Sequence, residues 1–419
     1  MSGGHFQGLL GILIFLLIAW VASEARREIA WRTVLTGLMI QVALVLILTF
    51  APVVQTVFHV LADGVRALQS ASAEGVVFVF GYLGGGDLPF ELSDEGSTYI
   101  VAFQVLPLIL LVGALSALLW HWRILMVLVR AGAWAMERTF RVGGAVGVSA
   151  AANIIMGMVE APLLIRPYIA RLSRGELFAV MAGGMATIAG TMMVLIGSVL
   201  DPLIPDAFSH VLMASVINAP AALLLARIIV PDKLDHEPTT VDLQSDYRSA
   251  LDAITQGTAN AVKLLLNIVA LLIVFIALIA LVNSALSLLP AGEDGPVTLE
   301  QIMGLVMAPV AWLVGIPWTE AQTAGSLFGI KVVANEFLAY VELVSLPVNS
   351  LSARSELILS YAFCSFSNFG SLAIMIGGLS SMATERSAEI AALGLRALLA
   401  GFLSGCLTAC LIGLLTLSG

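Results

Sequence analysis

The feature that most limits the fold of this chain is a set of long, almost uncharged apolar runs. One of them, Val262–Leu289, holds a single charged group, Lys263, in 28 residues. About 20 apolar residues at 1.5 Å each cross a hydrocarbon core of about 30 Å. Lipid offers no water to a free N–H or C=O, so such a run satisfies its backbone as a helix. Composition agrees, with 59% of residues apolar and 11% charged. A soluble body of that composition could not cover its own surface with polar groups. The fold class expected is an all-α polytopic membrane protein.

The apolar pattern predicts eight spans: Leu9–Val21, Val34–Val54, Tyr99–Leu119, Glu176–Val199, His210–Val230, Val262–Leu289, Glu356–Leu379 and Ala388–Leu417. The first is read as a span and not a signal peptide, because no basic stretch precedes it. Ile124–Thr139 sets Arg130, Glu137 and Arg138 among Leu, Val and Trp, which predicts one interfacial helix. Two further apolar segments, Val142–Tyr168 and Trp318–Leu346, are interrupted by Gly, Asn and Glu. Each is long enough to dip into the bilayer and return, so each is read as a re-entrant hairpin. Broken backbone survives at membrane depth only where protein or a wet cavity satisfies it.

Two spans follow each hairpin, which suggests an internal duplication. The expected division is 1–141 for the first spans and interfacial helix, and 142–230 for the first hairpin with its spans. A linker and long span occupy 231–317, and the second hairpin with its spans 318–419. Paired interrupted segments in corresponding halves point to a transporter's binding site.

Sixteen of the nineteen Lys and Arg residues fall inside if the N-terminus is outside, leaving Arg66, Lys331 and Arg354 outside. The positive-inside rule therefore puts both termini outside. The outside loops are acidic, with Asp87, Glu91, Asp94 and Glu95 in one and Glu293 and Asp294 in another. The longest hydrophilic stretch, Pro231 to Asn260, reads as an inside linker and an amphipathic lead-in to the next span. The net charge of −9 and the lack of a basic run with interleaved aromatics argue against nucleic acid as a partner. Membrane lipid is the surrounding partner instead.

Ionisable groups at membrane depth are costly and therefore functional candidates. Glu160 stands in Asn153-Ile-Ile-Met-Gly-Met-Val-Glu-Ala-Pro162, and Glu336 lies in the second broken segment. Asn368 stands in Phe366-Ser-Asn-Phe-Gly-Ser371. An ionised carboxylate accepts hydroxyl donors, so two facing one cavity suit a polyhydroxylated solute or a cation. Asn153 and Thr187 are candidate cation ligands, Thr187 within the Gly-flanked run Gly184-Met-Ala-Thr-Ile-Ala-Gly190. Side-chain and carbonyl oxygens at such a break suit Na⁺. Cys364, Cys406 and Cys410 read as packing residues. The five histidines neighbour no nucleophile, so no enzyme and no bound organic cofactor are expected.

Gly329-Ile-Lys-Val-Val-Ala-Asn-Glu-Phe-Leu-Ala-Tyr340 closely resembles the signature of concentrative nucleoside transporters. Trp318-Thr-Glu-Ala-Gln-Thr-Ala-Gly325, Glu160-Ala-Pro162, Ala186-Thr-Ile-Ala-Gly190 and Phe366-x-Asn-Phe-x-Ser371 resemble it in the same order, over nearly the whole chain. The resemblance implies cation-coupled nucleoside import by an elevator-like mechanism in a bacterial inner membrane. It also implies a homotrimer whose protomers each pair a scaffold, 1–141 with the trimer-contacting 231–317, with a transport domain made of 142–230 and 318–419. Carried over by position, Glu336, Asn368 and Ser371 bind ribose, Glu160 and Phe366 line the base side, and Met192 contacts the base. Asn153 and Thr187 offer side-chain oxygens to Na⁺, and Met156 and Ile188 their carbonyls.

One departure stands out. The family places Gly-Gln-Thr-Glu or Gly-Gln-Ser-Glu before Ala-Pro; here the run is Gly157-Met158-Val159-Glu160. Two groups that would hydrogen-bond a base are apolar, which leaves open a nucleoside-like solute with a more apolar ring. Protons, carried by Glu160 or Glu336, are the alternative to Na⁺.

Overall fold

The computed structural model describes residues 3–91, 100–140, 142–232, 241, 243–245, 247–288 and 297–416. Asp94, Glu95, Glu293 and Asp294, and residues 233–240 of the inside linker, lie outside these.

Among the described residues the chain is helical throughout. α1 (Gly3–Val21) and α2 (Trp31–Phe50) come first, then α3 (Pro52–Phe80). A π-helical turn at Val101–Val105 leads into α4 (Leu108–His121), and α5 (Ile124–Phe140) follows. The first interrupted segment consists of α6 (Gly144–Asn153), α7 (Glu160–Leu163) and α8 (Arg166–Ile169). Then come α9 (Arg174–Ala186), α10 (Gly190–Leu200) and α11 (Ala207–Ile229). The longest helix is α12 (Ala250–Leu286). The remainder is α13 (Leu299–Leu313), α14 (Trp318–Val333), α15 (Glu336–Ser345), α16 (Ala353–Ala362), α17 (Phe369–Met382) and α18 (Ser387–Leu415).

Six described segments are long and apolar enough to cross a bilayer, and α13 with α14 makes a seventh if that bent pair is one span. The expected spans at Leu9–Val21 and Glu356–Leu379 both fall on helices. The first lies within α1, an apolar helix that begins earlier, at Gly3, and the second is divided between α16 and α17 by a non-helical stretch at 363–368. Two helices were not expected. α3 begins where Pro52, a residue with no N–H to lose, takes the first helical position. Its polar groups Asp63, Arg66 and Glu74 keep it from reading as apolar. α13 turns by 116° into α14. Gly315 makes that turn at φ +113°, a conformation that side chains rarely adopt. The long span also starts earlier than predicted, at Ala250, where Ser249 caps the amphipathic lead-in through the Asp252 N–H.

The element order repeats. A flanking helix (α5 or α13) packs on the first arm of a hairpin (α6 or α14). In each hairpin a short break is followed by an arm whose first residue is a glutamate, Glu160 in α7 and Glu336 in α15. A broken span follows (α9–α10 or α16–α17), then a long helix (α11 or α18). α11 and α18 pack on each other and on α9, so the two halves share one core. α1 lies on α18 and α2 on α11, whereas α4 pairs with α12. The most apolar stretch of α12 is left unburied, as a lipid-facing or subunit-facing helix would be.

Of the three basic residues expected outside, only Arg66 is surface-exposed; it bonds Asp206 at 2.9 Å. Arg354 is half-buried and donates to the Gly315 and Gly413 carbonyls at 2.7 and 2.8 Å. Lys331 is fully buried inside the second hairpin, so it belongs to no outside loop.

Candidate substrate and ion site

The second half builds a hydrogen-bonded polar cluster. Asn335 caps α15 by accepting the Leu338 N–H at 2.8 Å, which places Glu336 in the first turn. There the helix N-terminus favours a negative charge. Asn368 caps α17 in the same way, its Oδ1 accepting the Ser371 N–H at 2.7 Å. With the oxygen so engaged, the amide nitrogen faces Glu336 and donates to its Oε2 at 2.8 Å. Glu336 is 3% exposed. A carboxylate taken out of water is tolerable only with partners of this kind.

The stretch between α16 and α17 is held at three places. Asn218 donates to the Cys364 carbonyl at 2.7 Å. Lys331 Nζ donates to Ser365 Oγ at 2.9 Å, to the Ser367 carbonyl at 3.1 Å and to Ser367 Oγ. The Phe366 N–H donates to the Thr187 carbonyl at 3.3 Å. That last bond joins the broken span of the second half to the break between α9 and α10 in the first. Asn218 is anchored in turn: Thr408 donates to its Oδ1 at 2.5 Å, and Gln41 of α2 donates to Thr408 at 3.2 Å.

The first half is tied together differently. The Gly190 N–H donates to the Ile155 carbonyl at 2.8 Å, so the hairpin tip is fastened to the restart of the broken span. Thr187 is buried, its hydroxyl turned back to the Gly183 carbonyl at 3.1 Å. Asn153, the last residue of α6, is 1% exposed, and neither its Oδ1 nor its Nδ2 has a hydrogen-bond partner among the described residues. An unpaired buried polar group costs about 1–3 kcal/mol. A cation is suited to that oxygen, so the residues present fit the ion expected there.

The site residues named from sequence thus fall into groups. Glu336, Asn368 and Ser371 form one bonded unit. Phe366 and Thr187 meet through their backbones. Ile188 is fully buried at the same break, Met192 is buried in α10, and Met156 is half-buried at the hairpin tip. Glu160 is exposed at the start of α7 and makes no bond within this cluster. Met158 lies against Gly184 of α9, and Val159 against Gly378 of α17. Sequence reasoning missed Lys331, Ser365 and Ser367 as site residues. The signal was present, since a lysine stands between apolar residues five positions before Glu336.

Two hairpins whose second arms open on carboxylates, two broken spans meeting at a hydrogen bond, and a surround of apolar helices define a membrane transporter. The family description "Na⁺ dependent nucleoside transporter C-terminus" matches residues 210–413 and its N-terminal counterpart residues 10–83. A third, "nucleoside recognition", matches residues 102–203. The chain belongs to the concentrative nucleoside transporter family. It is 37% identical to the uncharacterized transporter YutK of Bacillus subtilis over 97% of this chain and 98% of that one. It is 34% identical to the nucleoside permease NupC of Helicobacter pylori, over 97% and 96%. The sodium/nucleoside cotransporter 1 of Mus musculus is 34% identical over 97% of this chain, which spans 63% of that longer protein. Among solved structures, CNTnw in an inward-facing substrate-bound state superposes with a TM-score of 0.87 at 34% identity, covering 98% of this chain and 99% of that one. A variant of CNTnw in an outward-facing state gives 0.89 at 33% identity, covering 100% and 99%. The relatives are named as transporters and permeases, not enzymes.

Proposed function

We propose that this chain imports nucleosides across a bacterial inner membrane, drawn by the coupled entry of Na⁺. The observation that carries the reading is the Glu336–Asn368 pair at the start of α15 and α17. A ribose diol donates to a carboxylate and accepts from an amide, so Glu336, Asn368 and Ser371 suit the sugar. Phe366, Met192 and Glu160, with Met158 and Val159, suit the base side. The unpaired Asn153 amide supports a Na⁺ site completed by Thr187 and the Met156 and Ile188 carbonyls. A bound ion favours whichever conformation it binds better, and here that is the hairpin arrangement ready for substrate.

The transport domain in this reading joins 142–230 and 318–419 and moves across the membrane as one body, elevator-fashion. The scaffold in this reading is 1–141 with the long helix α12; α4 pairs with α12, and α1 and α2 pack on α18 and α11 across the boundary between the two bodies. The unburied apolar face of α12 suits a homotrimer contact, and both termini stand outside.

The apolar pair Met158 and Val159 favours a second reading, a nucleoside-like solute with a less polar ring. Ligand-induced thermal stabilisation separates the two. Purified protein is heated with nucleosides, free bases and ribose analogues, each in Na⁺ and in choline. Stabilisation by nucleosides in Na⁺ alone is expected. A folded sample that answers only to analogues with apolar rings favours the second reading, and equal shifts in choline point to protons.

A further inference from the structure

The two halves place different groups towards the ends of their first hairpin arms. Near the end of the first hairpin arm stands Asn153 in α6 and Lys331 in α14. Each precedes the glutamate that opens the second arm. Asn153 lies beside α9, just before the break, and its amide is buried and unpaired. Lys331 reaches the corresponding break in the second half, and all three ammonium protons have acceptors there.

The geometry at 363–368 shows what this pairing does. The stretch bends tightly, with the Ser365 N–H donating to the Phe363 carbonyl at 2.7 Å and the Asn368 N–H to the Phe366 carbonyl at 2.8 Å. Ser365 and Ser367 turn to Lys331, and their hydroxyls meet at 2.9 Å. Asn368, one residue on, turns to Glu336, while the Phe366 N–H reaches Thr187. Ser365, Ser367 and Lys331 are fully buried, and the Phe402 ring lies 5.6 Å from the ammonium. A cation over an aromatic face is stabilised, more so away from water.

We propose that Lys331 is a tethered cation, a positioning residue that does for the second half what a free cation does for the first. It holds the break between α16 and α17 so that Phe366 and Asn368 are presented to substrate. The second half then needs no ion of its own, and the transporter couples through the Asn153 side alone. This deepens the transport reading above and rests on it for the substrate class.

The test uses the full-length protein and its Lys331→Ala variant, with uridine and adenosine as probes and propylammonium chloride as a replacement for the missing side chain. The variant is expected to bind nucleoside at least tenfold more weakly, while the Na⁺ concentration for half-maximal thermal stabilisation stays within twofold. Propylammonium should stabilise the variant, leave the wild type unmoved, and restore part of the nucleoside affinity. Unchanged nucleoside affinity overturns the proposal, as does a loss that propylammonium does not relieve. Should Lys331→Ala elute as aggregate, the Ser365→Ala/Ser367→Ala double variant takes its place. It keeps the charge and removes two acceptors, and full retention of nucleoside affinity there is the overturning result. If no form of the protein binds any nucleoside, yet propylammonium still stabilises Lys331→Ala selectively, the substrate reading falls and the tethered cation stands.

Discussion

The first and second hairpins share an element order and differ in what finishes them. In the second, Lys331, Ser365, Ser367, Asn368 and Glu336 engage one another within the protein. In the first, Asn153 is buried with no partner, Glu160 is exposed, and Met158 and Val159 put apolar groups at the tip. The difference teaches a division of labour. A cluster whose carboxylate, amide and ammonium already bond within the protein is held in that arrangement without a ligand. A half with an unpaired buried amide is stabilised when something from outside binds, and that is the requirement for ion control. In the proposed transport reading, a substrate held between the two would meet one preset wall and one conditional wall.

The sharpest way to break the comparison is at Glu336. Glu336→Gln keeps the shape and the Asn368 neighbour but removes the charge. Hydrogen bonds to a charged group are worth about 1.5–3 kcal/mol, so nucleoside affinity should fall about 10- to 100-fold. Uptake into proteoliposomes measures it, with size-exclusion chromatography confirming that the protein is still assembled. Uptake at the wild-type rate would remove Glu336 from the substrate wall.

Asn153→Ala tests the other side. Because the Asn153 amide has no protein partner to lose, the Tm in choline should not fall. The Tm gain from Na⁺ should shrink, and half-maximal uptake should need about tenfold more Na⁺, as expected for loss of one charge–dipole contact. A variant that loses stability in choline yet keeps its Na⁺ response would show that the amide serves packing alone.

A smaller effect is expected at the first hairpin tip. Val159 lies against Gly378 of α17, so it touches the half that carries Glu336. Val159→Thr, combined with Met158→Gln, offers hydrogen-bonding groups where the chain has none. One such bond contributes about 0.5–1.5 kcal/mol, so binding of a polar base should tighten by about twofold to tenfold. Isothermal titration with uridine and adenosine reads the change. Equal affinity in both proteins would mean that the tip does not face the base.

How far the sequence anticipated this arrangement depended on how local the signal was. Uniform apolar runs such as α12 were legible because lipid dictates both their length and their helicity. The break at Thr187 was legible because glycines flank it. α3 was not, since Asp63, Arg66, Gln69 and Glu74 dilute its apolar face below what a span shows. The break at 363–368 was hidden because nothing within that run ends a helix. It is held open by Asn218, Lys331 and Thr187, none of them a sequence neighbour. Lys331 itself was misplaced to the outside for the same reason. A charge count along the chain treats a lysine as a loop marker, and only the fold brings Ser365 and Ser367 to it.

The gentlest probe concerns how the halves are joined at the other end of the molecule. Arg174 at the start of α9 grips both oxygens of Glu24, at 2.7 and 2.9 Å, and reaches Glu389 of α18 at 3.2 Å. Arg396 of α18 adds a contact to Glu24 at 2.6 Å. Arg386 bonds Glu389 and caps the exit of the first hairpin through the Ile169 and Leu172 carbonyls. The hydrogen bond from Arg174, with the charges of Arg174 and Arg396, holds the Glu24 carboxyl below its ordinary range despite partial burial. A carboxylate lowered in the folded state contributes stability that is fully present above its unfolded pKa, about 4.3. That contribution disappears as pH falls through the lowered folded value. Glu24→Gln should therefore reduce the Tm by about 1–2 °C at pH 7, the scale of a partly exposed ion pair in a large chain. The gap between variant and wild type should close below about pH 4. A gap that stays constant with pH would assign the effect to packing at the end of α1, and the two halves would then owe their junction to the buried contacts of α11 and α18.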